Sequence, residues 1–464
     1  MRLLMIVFLA SIVGCGYSAE SGQEKKQPDP GVSGKAGNDW PCFLGPLGTS
    51  VSTEQGIISP WPKDGLKIVW HKKIGTGYSA PTISKGKLFL FDRESPDKDD
   101  PRKGKKARLT CLDSKTGKFH WKFEYPTDYK DKYNYNNGPR CCPVIDEDRV
   151  YIFGPEGMLH CVKFDDGKLV WKVDTREEFN VIQNFFGVGS TPVVEGDLLI
   201  VQVGGSPEGS NARDFAELKG NGSGVVAFDK MTGKVKYKIS NELASYSSPV
   251  LTTIKGRRWG FVFARGGLVA FEPKTGKVDF HFPWRAEDFE SVNAANPVVI
   301  NDQVLITETY GPGSALLKVK PGGYEILWDD AKKDKKSMQC HWMTPIVQDG
   351  YLYGSSGRHT ENAQLRCIEL ATGKVMWSRP RLGRTSLLMV DGHFICLSEQ
   401  GPLLLLKVNP KKFDLVSHME VTVPGDKEPF LEYPCWAAPI LSHGLMYVRG
   451  EGRLVCLELI KGKR

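Results

Sequence analysis

The sequence predicts an all-β fold built from a tandem repeat. The 464 residues include 50 glycines and 29 prolines among many apolar and aromatic residues, a composition typical of short strands separated by tight turns. A recurring unit extends from Pro81 to the end of the chain. The first and last elements of this region complement each other, as a closed ring of repeats requires.

The repeat unit begins with small or polar residues and a proline, continues through two apolar strands, and ends in Asp-x-x-Thr-Gly-Lys-x-x-Trp. Its first copy reads SAPTISKGKLFLF and then LTCLDSKTGKFHWKF. Successive units begin 42 to 62 residues apart, which is enough for four short strands and their loops. The sequence therefore predicts an eight-bladed β-propeller of four-stranded antiparallel blades. The eight starting positions are Pro81, Pro143, Pro192, Pro249, Pro297, Pro345, Leu387 and Pro439.

The Thr-Gly-Lys element fits a hairpin between the third and fourth strands, where glycine tolerates a positive φ. An aromatic residue follows each glycine by four positions and is predicted to fill the wedge between neighbouring blades. No phosphate-binding P-loop pattern surrounds these glycines. The five pairs are Gly117 with Trp121, Gly167 with Trp171, Gly233 with Tyr237, Gly276 with Phe280, and Gly373 with Trp377.

The eighth unit ends in LVCLELIKGKR and lacks a closing aromatic strand. The segment KDGLKIVWHKKIG, which precedes the first unit, closely matches DDGKLVWKVD of the second unit. We therefore expect a strand around Ile68 to Trp70 to complete the last blade and close the ring.

The N-terminus predicts export and lipid anchoring. Arg2 precedes an apolar stretch that ends in Ile-Val-Gly-Cys15, which resembles a bacterial lipobox in which the cysteine receives the lipid. Residues 1–15 are thus predicted to be a lipoprotein signal peptide, 16–38 a flexible tether and 39–464 the propeller. The expected location is the periplasmic side of the outer membrane. An ordinary signal peptide cut near Ala19 is the alternative.

The formal charge of +8 comes largely from loop-like runs, at residues 97–108 and 329–337. These runs mix positive and negative residues and lack regularly interleaved aromatic residues, which favours solvated loops over a nucleic-acid-binding surface. No nucleic-acid partner is therefore expected. Contact with the membrane is expected only through the lipid anchor. Four cysteines recur at one strand position, which indicates small buried residues: Cys111, Cys161, Cys367 and Cys456.

The Pro-initiated strands and LxCLDxxTGKxxWxx closures resemble the pyrroloquinoline-quinone (PQQ)-type propeller repeat from Asp39 to the C-terminus. Such repeats occur in quinoprotein alcohol dehydrogenases, in the propeller lipoprotein of the outer-membrane assembly machinery, and in secreted bacterial propellers of no established activity. The opening DWPCFLGPLGTSVS looks most like the third group. The resemblance implies the fold, whereas function depends on the site.

Residues just before each inner strand are expected to surround the mouth of the central channel. Aromatic faces beside guanidinium groups suit a small polar or anionic ligand, or a loop of a partner protein. The alternative is that the aromatic residues cap the core while the polar groups satisfy loop backbone. The predicted binding residues are Tyr78, Arg140, Tyr246, Asn293, His341, Trp342, Arg384 and Trp436.

Cys141 and Cys142 are adjacent just before the second inner strand. In quinoprotein alcohol dehydrogenases, which the repeat resembles, a disulfide between adjacent cysteines packs on the quinone, so the resemblance makes a vicinal disulfide one alternative for this pair. The sequence shows neither an identifiable calcium site nor a catalytic aspartate, and cysteine also suits tight packing. No cofactor and no metal site are therefore expected. The favoured function is a non-catalytic binding or scaffold propeller at the cell envelope; the alternative is a PQQ- and calcium-dependent dehydrogenase.

Overall fold

The computed structural model describes residues 38–95, 104–422 and 430–462. The predicted signal peptide, the lipid-anchor residue Cys15 and the predicted tether up to residue 37 lie outside the described residues. Within the described ranges, no helix is long and apolar enough to cross a membrane.

Eight four-stranded antiparallel blades follow one another along the chain, which confirms the predicted eight-bladed propeller. Two strands precede the first complete blade, β1 (Val51–Ser52) and β2 (Ile68–Lys73). In a propeller the first strand of each four-stranded blade lies nearest the central channel, and the other strands follow outwards in the order in which they pair. In blade seven, β1 adds a fifth strand beside β27.

The strands of the first four blades are as follows. Blade one comprises β3 (Thr82–Ser84), β4 (Lys87–Arg93), β5 (Lys106–Asp113) and β6 (Phe119–Pro126), and blade two β7 (Val144–Asp146), β8 (Arg149–Phe153), β9 (Met158–Lys163) and β10 (Leu169–Asp174). Blade three comprises β11 (Val193–Glu195), β12 (Leu198–Gln202), β13 (Val225–Asp229) and β14 (Val235–Ile239), and blade four β15 (Val250–Ile254), β16 (Arg257–Phe263), β17 (Gly267–Phe271) and β18 (Val278–Pro283). A short helix, α1 (Thr175–Phe179), follows β10, and a 3₁₀ helix (Ala212–Glu217) lies between β12 and β13.

The remaining blades repeat the same order. Blade five comprises β19 (Val298–Ile300), β20 (Gln303–Thr307), β21 (Ser314–Lys320) and β22 (Gly323–Asp329), and blade six β23 (Ile346–Gln348), β24 (Tyr351–Ser356), β25 (Gln364–Glu369) and β26 (Val375–Pro380). Blade seven comprises β27 (Thr385–Val390), β28 (His393–Ser398), β29 (Leu403–Lys407) and β30 (Leu415–Met419). Blade eight contains β31 (Ile440–Ser442), β32 (Leu445–Gly450) and β33 (Arg453–Glu458), and takes β2 as its outer strand.

The predicted ring closure is confirmed. Strand β2 pairs antiparallel with β33, with Trp70 opposite Cys456. The last blade is thus completed by the N-terminal part of the chain, and the ring has no open edge at this join.

The glycines of the Thr-Gly-Lys elements and the aromatic residues of the outer strands pack against each other between neighbouring blades. Gly117 has a φ of 68°, and a Cβ on it would lie 2.8 Å from the Trp70 ring of the preceding element. The Trp70 indole Nε1 donates to the Ser114 carbonyl across the same junction at 2.9 Å. Trp171, Tyr237 and Trp377 make the equivalent bond to the next blade, so the motif sets packing between blades.

The recurrent cysteines lie directly opposite these aromatic residues. Cys111 faces Trp121, Cys161 faces Trp171, and Cys367 faces Trp377 in the strand registers. All of these cysteines are fully buried. A small side chain at this position leaves room for the large ring beside it, which accounts for the repeated cysteine.

Residues 38–57, which we call the N-terminal segment, cross the end of the channel. Trp40 exchanges backbone hydrogen bonds with Ile83 of β3, and β1 lies parallel to β27, the inner strand of blade seven. Glu54 accepts from the Gly444 amide at 2.8 Å. The Asp391 carboxylate accepts from the Gly56 amide. Gly444 and Asp391 both lie in turns that follow inner strands. The N-terminal segment therefore covers the end of the channel opposite to the end where the inner strands begin.

Candidate functional site

A cavity of about 260 Å³ lies on the channel axis at the end where the inner strands begin. Its walls come from residues that directly precede the inner strands, together with loops between the second and third strands of the blades. Seven of the eight predicted binding residues line it, from six different blades: Tyr78, Arg140, Tyr246, His341, Trp342, Arg384 and Trp436.

The N-terminal segment forms the floor of this cavity. Phe43, Leu44 and Ser50 are part of its lining, and the Ser50 hydroxyl donates to the Leu387 carbonyl at 2.8 Å. Gly45 packs so closely on the Trp40 ring that a Cβ would lie 2.7 Å from it. The channel is thus open at the mouth and closed below by the chain's own N-terminal part.

Arg384 is held between two tryptophans and a buried carboxylate. Its guanidinium carbon lies 4.6 Å from the ring centroid of Trp342 and 5.0 Å from that of Trp436. Glu399, only 1% exposed, accepts from Arg384 at 2.7 Å and from the Trp436 indole at 3.0 Å. Burial acts to raise the pKa of Glu399, but these hydrogen bonds outweigh it and lower the pKa. The carboxylate therefore stays charged and fixes both the Arg384 guanidinium and the Trp436 ring.

Arg140, which also lines the cavity, is fixed in a similar way. Its guanidinium pairs with the buried carboxylate of Asp131 and donates to the Gly138 carbonyl at 3.0 Å. The guanidinium carbon also lies 5.6 Å from the centroid of the Tyr78 ring, which in turn lies 4.7 Å from that of Trp436. Both arginines therefore present stacked faces, while much of their hydrogen-bonding capacity is used within the protein.

His341 lies in the wall beside Tyr310. Its Nε2 is 3.2 Å from the Tyr310 hydroxyl, and its Nδ1 is buried without a hydrogen-bond partner in the structure. Burial lowers the pKa of His341 to about 3, and the positive charges of Arg384 and Arg358 act in the same direction. The imidazole is therefore neutral near pH 7 and contributes an aromatic, weakly polar surface.

Asn293 does not line the cavity, in contrast to the expectation from its position before β19. The residue is only 3% exposed, and its side-chain amide donates to the Ala264 carbonyl at 2.8 Å. Longer contacts of 3.4 and 3.5 Å reach the carbonyls of Arg265 and Trp284. Asn293 joins two loops of blade four instead of facing the channel.

Several lining residues were not identified from the sequence. Tyr310 and Arg358 come from loops between second and third strands, which carry no repeat signal, and Arg358 stacks 4.2 Å from the Tyr310 centroid. Tyr135, also in the lining, is 60% exposed, and such an exposed aromatic in a Tyr/Asn-rich loop is the signal that could have identified it.

Aromatic residues, several of them exposed, continue outwards from the cavity and form a surface that we call the aromatic rim. Ring contacts of 5.4 to 6.1 Å between centroids connect its members. Tyr133, Tyr135, Phe289 and Tyr433 are each more than 40% exposed. The aromatic rim consists of Tyr133, Tyr135, Phe185, Phe186, Phe289, Tyr433 and Trp436.

The adjacent cysteines lie behind the cavity wall. Cys141 and Cys142 are free and fully buried, and neither is part of the cavity lining. The Cys141 thiol donates to the Ser190 carbonyl at 3.2 Å, and burial raises the pKa of Cys142 to about 12. The two side chains pack in different core clusters.

The lining does not suit a calcium-bound quinone. Among the described residues it contains no Asp or Glu, and no group of three or more His, Cys, Asp or Glu side chains is arranged to hold a metal ion. A calcium site needs several oxygen ligands, mainly carboxylates and carbonyls.

The comparison with protein families gives one match. The sequence model of the family described as outer membrane protein assembly factor BamB matches residues 105–379. No curated protein matches the sequence.

The comparison with solved structures finds other propellers. BamB from Moraxella catarrhalis is 11% identical with a TM-score of 0.52, covering 85% of this chain and 98% of its own. Quinohemoprotein alcohol dehydrogenase from Comamonas testosteroni is 12% identical with a TM-score of 0.60, covering 91% and 81%. The computationally designed Ika8 protein is 10% identical with a TM-score of 0.51, covering 85% and 100%. At these identities the similarity establishes the fold alone.

Proposed function

The chain belongs to the family of outer membrane protein assembly factor BamB, and from this membership and the geometry of the mouth we propose that it is a non-catalytic binding propeller of the bacterial cell envelope. Its ligand is a segment of a partner protein, which lies on the aromatic rim and inserts an apolar or aromatic side chain into the cavity. The observation that carries the proposal is the continuous aromatic surface from the rim into a cavity closed below.

The state of the arginines favours a stacking ligand over a small free anion. Arg384 already bonds Glu399 with two of its nitrogens and the Arg358 carbonyl with the third. Arg140 is likewise engaged by Asp131 and backbone carbonyls. Their faces, together with Trp342 and Trp436, offer the flat, partly desolvated surface on which aromatic and aliphatic side chains gain most.

A PQQ-dependent dehydrogenase is the second candidate, supported by the shared fold. The absence of carboxylates from the described cavity lining and the packing of Cys141 and Cys142 away from it count against it. Titration with PQQ and calcium, followed by Trp fluorescence, separates the two proposals. We expect no saturable change; calcium-dependent uptake that is lost in Cys142→Ser would favour the dehydrogenase.

The proposed location is the periplasmic side of the outer membrane, with the lipid on Cys15 as the anchor. This proposal is supported by family membership and by the lipobox-like sequence that ends in Cys15.

Site-specific photo-crosslinking in intact cells tests the binding role. A benzoylphenylalanine replaces Tyr135 on the rim or, as a matched control, Phe119, which is 50% exposed on the outer strand of blade one. We expect a discrete adduct with an envelope protein from position 135 only, weakened by Trp436→Ala. Identical adduct patterns from both positions, or none from 135, would contradict the proposed function.

A further inference from the structure

The hairpins between the third and fourth strands of the blades lie at the end of the propeller opposite the mouth, which we call the far end. Strands within a blade alternate in direction, so these hairpins return to the end where the inner strands finish. The Ser114 amide donates to the Gly86 carbonyl and the Leu370 amide to the Gly350 carbonyl, both at 2.9 Å. Gly86 and Gly350 lie in turns that follow inner strands, so the hairpins and the N-terminal segment share the far end.

Five of these hairpins end in an exposed lysine that is followed at once by an exposed apolar residue. The apolar side chains are between 36% and 50% exposed. Each apolar residue begins an outer strand, so the five pairs are distributed around the outer edge of the far end. We call them the lysine rim, which consists of Lys118 with Phe119, Lys168 with Leu169, Lys234 with Val235, Lys277 with Val278, and Lys374 with Val375.

The hairpins of the far end carry an excess of positive charge. Between the third and fourth strands of blades one to seven there are ten lysines and four acidic residues. The turns between the first and second strands are richer in carboxylates, and two of these carboxylates are engaged. Asp302 pairs with Lys255 at 2.8 Å, and Asp391 accepts from the Gly56 amide at 2.8 Å. The excess positive charge therefore lies on the outer edge, where the lysine rim is.

The pairing of lysine with an exposed apolar residue suits the surface of a phospholipid bilayer. Each lysine near an anionic lipid surface strengthens binding roughly fivefold. Apolar side chains beside the lysines enter the boundary between headgroups and acyl chains, while the ammonium groups stay at the phosphates. The pairs lie on five separate blades, and a continuous layer of headgroups contacts all of them at once. An acidic protein would need a carboxylate placed to match each blade.

The chain enters the propeller at this same end. Asp39 accepts from the Ser84 hydroxyl at 2.8 Å and from the Lys85 amide at 3.0 Å, at the turn after the inner strand of blade one. Cys15, the proposed lipid-bearing residue, precedes Asp39 by 24 positions, and a flexible chain of that length spans roughly 30 Å. The proposed anchor therefore holds the far end within reach of the membrane.

We propose that the lysine rim binds the anionic phospholipid headgroups of the membrane in which Cys15 is anchored, an inference that rests on the proposed function and location. The membrane contact then extends beyond the lipid anchor, which the sequence indicated as the only contact. The mouth, at the opposite end of the propeller, points away from the bilayer and stays open to the partner segment.

Fluorescence quenching by lipids with brominated acyl chains tests this inference on the full-length, lipidated protein. The vesicles contain equal parts of phosphatidylcholine and phosphatidylglycerol, and dansylalanine replaces Leu169 or, as a matched control, Tyr433 at the mouth; these residues are 47% and 46% exposed. We expect quenching at position 169 only. Three lysines together strengthen docking on an anionic surface roughly a hundredfold. Lys118→Gln, Lys277→Gln and Lys374→Gln combined should therefore reduce the quenching to the level of the control position.

A second triple variant controls for the change in net charge. Lys105→Gln, Lys332→Gln and Lys335→Gln combined remove three exposed lysines from loops at the mouth end and should leave the quenching unchanged. Three results would overturn the inference: equal quenching at positions 169 and 433, equal losses in the two triple variants, or the same quenching at position 169 on vesicles of phosphatidylcholine alone. The substituted lysines are all exposed, so neither variant disturbs the core.

Crosslinking from position 135 distinguishes this inference from the proposed function, because it reports on the mouth alone. If the adduct forms while position 169 is not quenched, the inference fails and the binding role of the mouth stands. If no adduct forms while the quenching depends on the rim lysines, the proposed function fails and the far end remains a lipid-binding surface.

Discussion

Trp70 is the residue whose removal most directly tests how the ring is closed. It lies on β2, the strand that completes blade eight, and its indole packs on Gly117 and Tyr447. The indole Nε1 also donates to the Ser114 carbonyl of blade one at 2.9 Å. Trp70→Ala therefore removes contacts on both sides of the join between the last blade and the first.

The expected cost follows from this burial. A tryptophan buries roughly 200 Å², which at about 25 cal/mol per Å² corresponds to about 5 kcal/mol. Measured losses for large-to-small aromatic substitutions are about 3–5 kcal/mol. For a chain of 464 residues, an unfolding entropy of about 2 cal/mol/K per residue gives about 1 kcal/mol/K, so a loss of ~4 kcal/mol lowers Tm by about 4 °C.

Differential scanning calorimetry and urea unfolding measure this change. Trp70→Phe should cost less, because the ring keeps much of the packing and loses only the hydrogen bond, about 1 kcal/mol. Phe119→Ala, at an exposed site, should change stability by less than about 0.5 kcal/mol. Deletion through Trp70 should destabilise or aggregate the protein, whereas deletion up to Gly37 should not. Equal stability of the two truncations, or of Trp70→Ala and Phe119→Ala, would refute the closure argument.

Two further predictions concern the cavity and the N-terminus. The pKa of His341 is about 3 in the folded protein against 6.5 for the free side chain, so the unfolded state binds more protons between these values and stability falls as the pH drops through this window. His341→Asn should reduce the slope of the unfolding free energy against pH by about 1.4 kcal/mol per pH unit between about pH 6 and 4. Urea unfolding at several pH values measures this slope. An unchanged slope would contradict the prediction. Cys15→Ala should leave the protein unprocessed or mislocalised, and mass spectrometry of the mature N-terminus should find lipid on Cys15; a free amino group on a later residue would contradict it.

The sequence predicted the parts of the fold that repeat. The glycine and aromatic pair of Gly117 and Trp121 recurs because blades need the same hairpin and the same wedge, so five copies strengthen one signal. The match between the segment around Trp70 and the outer strands of complete units was enough to predict closure. By contrast, the path of the N-terminal segment across the channel depends on one parallel pair, β1 with β27, and on packing such as Gly45 against Trp40. Neither feature recurs, so self-comparison could not find it.

The site was predictable only where it follows the repeat. Position before an inner strand located Arg140, His341 and Arg384, because the geometry of a propeller turns that position towards the mouth. The same rule failed at Asn293, where the turn between β16 and β17 provides the Ala264 carbonyl that accepts from its side-chain amide. The buried partner Glu399 lies at the end of β28, and only the fold brings its carboxylate to Trp436.

Closure of the ring by β2 and the proposed binding at the mouth use different parts of the molecule. Among the described residues, the N-terminal segment forms the floor of the cavity, and the aromatic rim lies at the mouth. The charges of Arg140 and Arg384 are balanced from behind by Asp131 and Glu399, which leaves the stacked faces for the ligand. Trp436→Ala should therefore weaken partner binding more than it affects unfolding, whereas Trp70→Ala should do the reverse. A protein in which both substitutions changed stability and binding in equal proportion would have no separate site at the mouth.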